Sequence, residues 1–343
     1  MKEKRFLRVK DVKEITCKIY MIEIIIIIIM ITVWLYLRPL QDINKSESNN
    51  FALSRDIKKI DKSIIDDLDE KVQYIDFNKI CKYGTCGGKR VRSIIIDSII
   101  NHRRKLNKSC DAVDAVDAVD AVDAVDTGSK KSSLHAMLFI EYLHASSLIM
   151  DDIMDKDSYR RGKLCLYKKY GNTIAQMTSV YLMSIAMGHL CKFVTIMKCM
   201  PALTIICDRL EKLCIGQYID INVNVNANDV DELIKLKTGT LFEMSYVLGW
   251  LGSNGDFKNI DEIRGLGRQF GMLFQIADDF DDIEKDAINN PDCNYVLVNG
   301  LEKSKLDYRN IYNKFVIEST KFGVFTYEIE EICKYISKHI VQN

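Results

Sequence analysis

The sequence predicts an all-α fold, a helical bundle around a deep cavity, and three observations carry that prediction. Its 343 residues include only three prolines and 17 glycines, so little interrupts long helices. Apolar residues recur at three- and four-residue spacing, as in Ile57, Ile60, Ile64, Ile65 and Leu68, which is the period of an amphipathic helix. Two acidic clusters of the pattern Asp-Asp-x-x-Asp each follow an apolar helical run, and gathering such side chains from facing helices is a general way to build a site inside a bundle. Hydrophobic residues make up 48% of the chain, enough for a large core, while the net charge of zero and the lack of any RNA- or DNA-binding motif argue for no nucleic acid. Eleven cysteines without CxxC pairs fit a reduced compartment and inert thiols.

Residues 1–50 read as a region of their own. Basic residues crowd the stretch from Lys2 to Lys18, and residues 19–37 are apolar except for Glu23 and Thr32. As a helix that segment would be about 28 Å long, close to the hydrocarbon thickness of a bilayer. Glu23 lies near one end, and Trp34 and Tyr36 near the other suit a membrane interface. The segment is expected to be a signal or anchor giving membrane contact; a buried core helix is the alternative. The polar linker at 38–50 leaves room for a targeting signal to an organelle such as a plastid or mitochondrion; without a signal, the chain is cytoplasmic.

The remainder, 51–343, reads as one helical domain. The turn GTCGGKRVRS (84–93) follows the first periodic helix; Gly87 and Gly88 permit a tight backbone, and Lys89, Arg90 and Arg92 present cations. Residues 111–126 repeat Ala-Val-Asp, a three-residue unit that sustains neither a helical stripe nor strand alternation, and are expected to be a low-complexity loop insertion. Helical periodicity resumes at Leu134 and runs into LHASSLIMDDIMDKDSYRRG (143–162).

That last stretch carries the chemistry. In a helix, Asp151 and Asp155 share a face with Asp152 beside them. Two such carboxylates at about 6 Å repel by roughly 3 kcal/mol at an effective dielectric near 20, so gathering them calls for cations, and clustered carboxylate oxygens suit Mg²⁺ better than Zn²⁺. Arg160 and Arg161 follow with forks that match phosphate oxygens. The combination reads as a diphosphate site. A solvated helix end would show the same spacing, but the pattern recurs at FQIADDFDD, with Asp278, Asp279 and Asp282.

With GGKRVR at 87–92, GQYID at 216–220 and KTGTLF at 237–242 in the same order, the chain resembles the trans-isoprenyl diphosphate synthases, or polyprenyl synthetases, over about residues 55–300. The resemblance implies the isoprenoid synthase fold and the condensation of isopentenyl diphosphate with an allylic diphosphate. It implies three Mg²⁺ ions held by Asp151, Asp155 and Asp278, with Asp152, Asp279 and Asp282 supporting. Lys89, Arg92, His144 and Arg161 would bind isopentenyl diphosphate, and Arg160, Lys237, Thr238 and Gln275 the allylic diphosphate. A homodimer is expected, with a heteromer as the alternative.

Departures from the family pattern are also legible. Ser93 replaces a usual proline and is expected to loosen that helix start, and Val180 removes a polar feature from the pocket wall. After Asp282 the usual Gly-Lys loop and following lysine are missing, with Lys285 the nearest substitute. These losses suggest a rival reading, a weakly active or non-catalytic subunit of a heteromeric synthase. A terpene cyclase needs no GGKRVR-type site, and a Ca²⁺-binding role lacks the DxDxDG spacing. Ser146 and Ser147 stand just before Asp151, where short-chain members carry a bulky aromatic, so a long-chain product is expected; alternatively, the small serines let two helices approach closely.

Overall fold

The computed structural model describes residues 53–111, 119–222, 230–289 and 291–342. The chain divides into units 1–54 and 55–343, and the described residues fall in the second apart from Leu53 and Ser54. The apolar segment expected at 19–37 lies outside the described residues, as do residues 112–118 of the Ala-Val-Asp repeat.

The elements follow in order: α1 (Ser54–Lys71), α2 (Ile75–Thr85), α3 (Val91–Asp111), α4 (Val119–Met154), a hairpin of β1 (Tyr159–Arg160) and β2 (Lys163–Leu164), α5 (Leu166–Tyr170), α6 (Asn172–Met197) and α7 (Met200–Asn222). The second half holds α8 (Val230–Ile234), a π-helical turn (Lys235–Gly239), α9 (Thr240–Gly252), α10 (Ile260–Asp281), α11 (Ile283–Asn289), α12 (Tyr295–Asn299), α13 (Leu301–Lys321) and α14 (Tyr327–Gln342). The all-α expectation holds. In α1 the buried residues are Ile60, Ile64 and Leu68, whereas Ile65 is exposed, so the stripe runs at four-residue spacing. The expected insertion loop is corrected in part: the backbone of 119–126 is the first part of α4, which fits alanine's high helix propensity in each repeat unit.

The core forms around α9, in which every residue is buried. A helix buried on all sides needs neighbours on all sides, and α3, α4, α7 and α10 supply them. Phe242 of α9 meets Phe270 and Phe274 of α10 with ring centroids 5.1 Å apart in both pairs. Gly271 brings α10 against the π-turn, since a Cβ there would lie 2.7 Å from the Gly239 Cα. The two aspartate motifs thus end helices that pack on one shared core helix.

Helices α4 and α6 lie along each other. Ser146 and Ser179 clasp them: their hydroxyl oxygens are 2.9 Å apart, and each hydroxyl lies 3.0 Å from the other's carbonyl oxygen. Both residues are buried, which is the close approach named as the alternative for these serines. Val180 faces outward, 62% exposed.

The hairpin pairs Tyr159 with Leu164 and Arg160 with Lys163. Its two-residue loop, Arg161–Gly162, has φ of 53° and 71°, the positive pair of a type I′ turn.

Candidate active site

The first aspartate motif closes α4. Asp155 donates its backbone N–H to the Asp151 carbonyl, so the helical phase persists and the two carboxylates share a face. Burial pushes the Asp151 carboxyl up to about 6, with Lys237 pulling it down and Asp155 adding repulsion; Asp155 is raised by burial and by Asp220 and Asp157, against the pull of Lys237. Asp152 points elsewhere: it is buried and ion-paired to Arg160, whose guanidinium also lies 3.5 Å from Asp157. Arg160 therefore sits at the site through Asp152, not as an open cation.

The second motif closes α10. Desolvation pushes the Asp278 carboxyl up to about 6 against the pull of Lys89 and Arg92. Asp279 is buried and committed: its carboxylate accepts from the Tyr295 N–H at 2.7 Å and from Gln275 Nε2 at 2.8 Å. Burial still raises it to about 7. Asp282 is exposed and lies 3.7 Å from the Lys285 ammonium. Asp152 and Asp279 are thus held by protein partners, while among the described residues the carboxylates of Asp151, Asp155 and Asp278 have no such ion pair or hydrogen bond.

Between the motifs lies a cavity of about 520 Å³, lined by Asp155, Asp220, Lys237, Thr238, Gln275, Asp279 and Asp286 among others. Residues more than 120 positions apart in sequence, Asp155 and Asp279, thus share one space. The Thr238 hydroxyl donates to Gln275 Oε1 at 2.7 Å, which continues through Gln275 to Asp279. Lys237 pairs with Asp220. Burial works against its ammonium, and Asp220, Asp151 and Asp155 more than offset it, so the pKa lies above the usual lysine value. The π-turn carrying Lys237 and Thr238 widens the helix locally, a feature often found at functional sites.

A second group of cations stands beside Asp278. Arg92 stacks on Phe242 at 4.5 Å and lies 3.4 Å from His144 Nε2. Burial lowers its pKa to about 10 despite Glu141 and Asp278. Burial and the neighbouring arginines hold His144 well below its ordinary range, hence neutral. Arg92 Nε and His144 Nδ1 are buried without a hydrogen-bond partner among the described residues. Arg161 donates to the Gly87 carbonyl at 2.7 Å, and its guanidinium lies where a Gly88 Cβ would meet it at 2.7 Å; Gly88 also has φ of +100°. Lys89 is exposed, 4.4 Å from the Tyr335 ring.

Arg90 differs from the sequence reading, which had it presenting a cation. It turns inward to Glu141 at 2.7 Å, Asp61 at 2.8 Å and the Thr85 carbonyl at 2.7 Å. Ser93 donates to the same Glu141 at 2.7 Å, so this substitution ties down the helix start that it was expected to loosen. Asp220 and Asp286 are site residues that sequence reasoning did not select. The GQYID motif flagged Asp220, but only the fold shows its partner.

The donor set can be tested against Mg²⁺. Among the described residues no three His, Cys, Asp or Glu side chains converge as a closed metal cage. Carboxylates instead stand on two walls, with Asp151 half-buried and Asp155 and Asp278 reaching solvent. That arrangement fits Mg²⁺, which is commonly held by one or two carboxylates together with substrate phosphates.

The profile of the polyprenyl synthetase family matches residues 76–293. Geranylgeranyl pyrophosphate synthase 4 of Arabidopsis thaliana is 29% identical over 261 residues, covering 71% of this chain and 64% of that protein. The large subunit 1 of the heterodimeric chloroplastic geranylgeranyl pyrophosphate synthase of the same plant is 30% identical over 244 residues, covering 64% of this chain and 60% of its own. The chain therefore matches somewhat under two thirds of the length of these curated relatives. A geranyltranstransferase structure from Thermotoga maritima superposes with a TM-score of 0.65 at 20% identity, covering 83% of this chain and 97% of that one, which shows the shared fold. Motif order, a common core helix between two aspartate-bearing helix ends, and the profile match over most of the described domain lead to one assignment: the chain belongs to the polyprenyl synthetase family.

Proposed function

We propose that this chain is an Mg²⁺-dependent prenyl diphosphate synthase that condenses isopentenyl diphosphate with an allylic diphosphate. The observation that carries the reading is Arg92, a largely desolvated guanidinium with no carboxylate in ion-pair distance among the described residues, set beside a neutral His144 and facing the Asp278 wall. A fold that keeps such a cation without a counter-ion is built to receive an anion.

Lys89, Arg92, His144 and Arg161 would hold the diphosphate of isopentenyl diphosphate, and Lys237, Thr238 and Gln275 that of the allylic substrate. Asp151, Asp155 and Asp278 would hold the metal, which when bound supplies positive charge to the leaving diphosphate. The allylic C–O bond breaks with its electron pair leaving on the diphosphate oxygen. The isopentenyl double bond attacks the allylic carbon, and the departed diphosphate takes the proton lost from the new chain. Lys237 is poised for the charge that develops on the leaving group, since its ammonium is kept protonated by the surrounding carboxylates.

On product length, a specific observation favours a second reading over the long-chain expectation. The Ser146–Ser179 clasp closes that level, and Leu143 and Phe139 behind it are fully buried, so a growing tail meets packed side chains near Ser147. The reading also includes self-association, supported by the outward face of α6, where Met177 and Val180 are exposed and no Asp, Glu, Lys or Arg occurs between 172 and 191. Membrane contact through residues 19–37 belongs to it on sequence grounds alone. The test is to incubate the purified chain with Mg²⁺, labelled isopentenyl diphosphate and allylic primers of several lengths, and to resolve products by size. Failure to form product with any primer, alone but not with an active partner subunit, would replace this reading by that of a heteromer's non-catalytic subunit.

A further inference from the structure

Asn294 lies one residue beyond the stretch matched by the family profile and belongs to none of the motifs. It is 1% exposed, and its amide is fully used. Oδ1 accepts from the N–H groups of Val296 at 2.9 Å and Leu297 at 3.1 Å, capping α12. Nδ2 donates to the Asp279 carbonyl at 2.9 Å and to Asp286 Oδ2 at 3.0 Å. Two N–H donors on one side and two acceptors on the other fix the amide orientation, because a flipped side chain would oppose like to like.

The partners give this latch its meaning. The last carbonyls of a helix lack intrahelical donors, and Asp279 is in the final turn of α10. Asn294 supplies its carbonyl with a donor, and the next residue, Tyr295, supplies its carboxylate with another at 2.7 Å. That turn also bears Asp278, whose carboxylate faces Lys89 and Arg92. Asp286, the other partner of Nδ2, lines the central cavity. One buried amide therefore joins the end of the second aspartate helix, a carboxylate on the cavity wall and the start of the next helix.

We infer that Asn294 is a positioning residue for the metal–diphosphate site, holding the last turn of α10 and Asp286 in the geometry that binds Mg²⁺ and diphosphate. The inference rests on the proposed function and adds a determinant to it.

Full-length protein carrying Asn294→Ser keeps a hydroxyl able to cap α12 but loses both Nδ2 bonds; Asn294→Asp keeps side-chain volume and cap, and repels Asp286. Calorimetric titration with inorganic diphosphate in the presence and absence of Mg²⁺ is the first readout, and the Mg²⁺ half-saturation of prenyl transfer, with kcat and KM separated, is the second. Both variants are expected to weaken Mg²⁺-dependent diphosphate binding by about tenfold or more and to raise Mg²⁺ half-saturation in parallel, as loss of a bond to a charged partner implies. Combining Asn294→Asp with Asp286→Asn restores one side-chain bond and is expected to recover part of the loss. Variants that melt earlier without ligand yet bind diphosphate within about twofold of the unsubstituted protein would overturn the inference and leave Asn294 a helix cap. Lack of Mg²⁺-dependent diphosphate binding by the unsubstituted protein would overturn the proposed function and this role with it.

Discussion

Replacing Arg92 by methionine should separate what the site does from what the fold needs. The guanidinium is desolvated enough for its pKa to fall from 12.5 to about 10. That fall corresponds to roughly 3 kcal/mol of cost on the charged form. Partial exposure and the stacking on Phe242 reduce the net penalty to about 1–2 kcal/mol. Methionine keeps much of the length over Phe242 and removes the charge, so the ligand-free variant should melt about 1–3 °C higher. The same change removes a charge-assisted contact to the substrate, and KM for isopentenyl diphosphate should rise about 10- to 100-fold. Differential scanning calorimetry without ligand, paired with steady-state kinetics varying isopentenyl diphosphate, reads both effects. A variant that melts lower and keeps its KM would refute the reasoning, because Arg92 would then be an ordinary structural cation.

Three further outcomes follow from the geometry. Asp151→Asn or Asp278→Asn should lower turnover by about a hundredfold or more while leaving the melting temperature unchanged or raised, because the site holds each carboxyl above its ordinary pKa; turnover that survives EDTA would rule out the metal reading. Gly88→Ala should cost about 1–2 kcal/mol from its positive φ and drive the new Cβ into Arg161, so KM for isopentenyl diphosphate should rise with stability falling, read by kinetics and a denaturant midpoint. His135 has a pKa lowered to about 4 by burial and by His189, whose Nδ1 lies 2.9 Å from its own. Its stabilising effect is therefore complete above the unfolded value of 6.5 and is lost as pH falls from there to about 4, by about 1–2 kcal/mol once solvent screening of this half-buried ring is allowed for; His135→Leu should flatten the melting profile over that window.

What was legible in the sequence was chemistry written in local spacing. Asp151 and Asp155 are one helical turn apart, so a helix alone places both carboxylates on one face. Partnerships across the fold were not legible. Arg90 and Arg92 sit in the same basic turn and differ only in direction: Arg90 finds Glu141, 51 residues on, while among the described residues Arg92 meets His144 and the Phe242 ring. Ser93 looked like a lost proline until Glu141 appeared beside it. Helix α9 has little amphipathic period to read, being buried all round with Glu243 met by Arg209, Arg264 and Arg268, and declares itself only by what packs against it. The hairpin at 159–164 is too short for strand alternation to register, although Arg161–Gly162 meets the conformational demand of its turn.

These placements bear on how two distant motifs act as one site. Asp155 and Asp279 line the same cavity, but neither touches the other directly. Coupling runs instead through the π-turn at 235–239. Lys237 reaches Asp220 and feels Asp151 and Asp155, while its neighbour Thr238 donates to Gln275, which donates to Asp279, which accepts from the Tyr295 N–H. Polar contacts thus run from the π-turn to the segment after the second motif, while Lys237 feels the first motif through its charge alone. Because a side chain in such a chain must keep both partners to remain satisfied while buried, displacement at one wall costs bonds at the other. Ligand charge entering between the walls would act on both through Lys237 and Gln275. Gln275 is the weakest point of that path: Gln275→Leu leaves Thr238 and Asp279 without their shared partner while leaving Asp151, Asp155 and Asp278 in place.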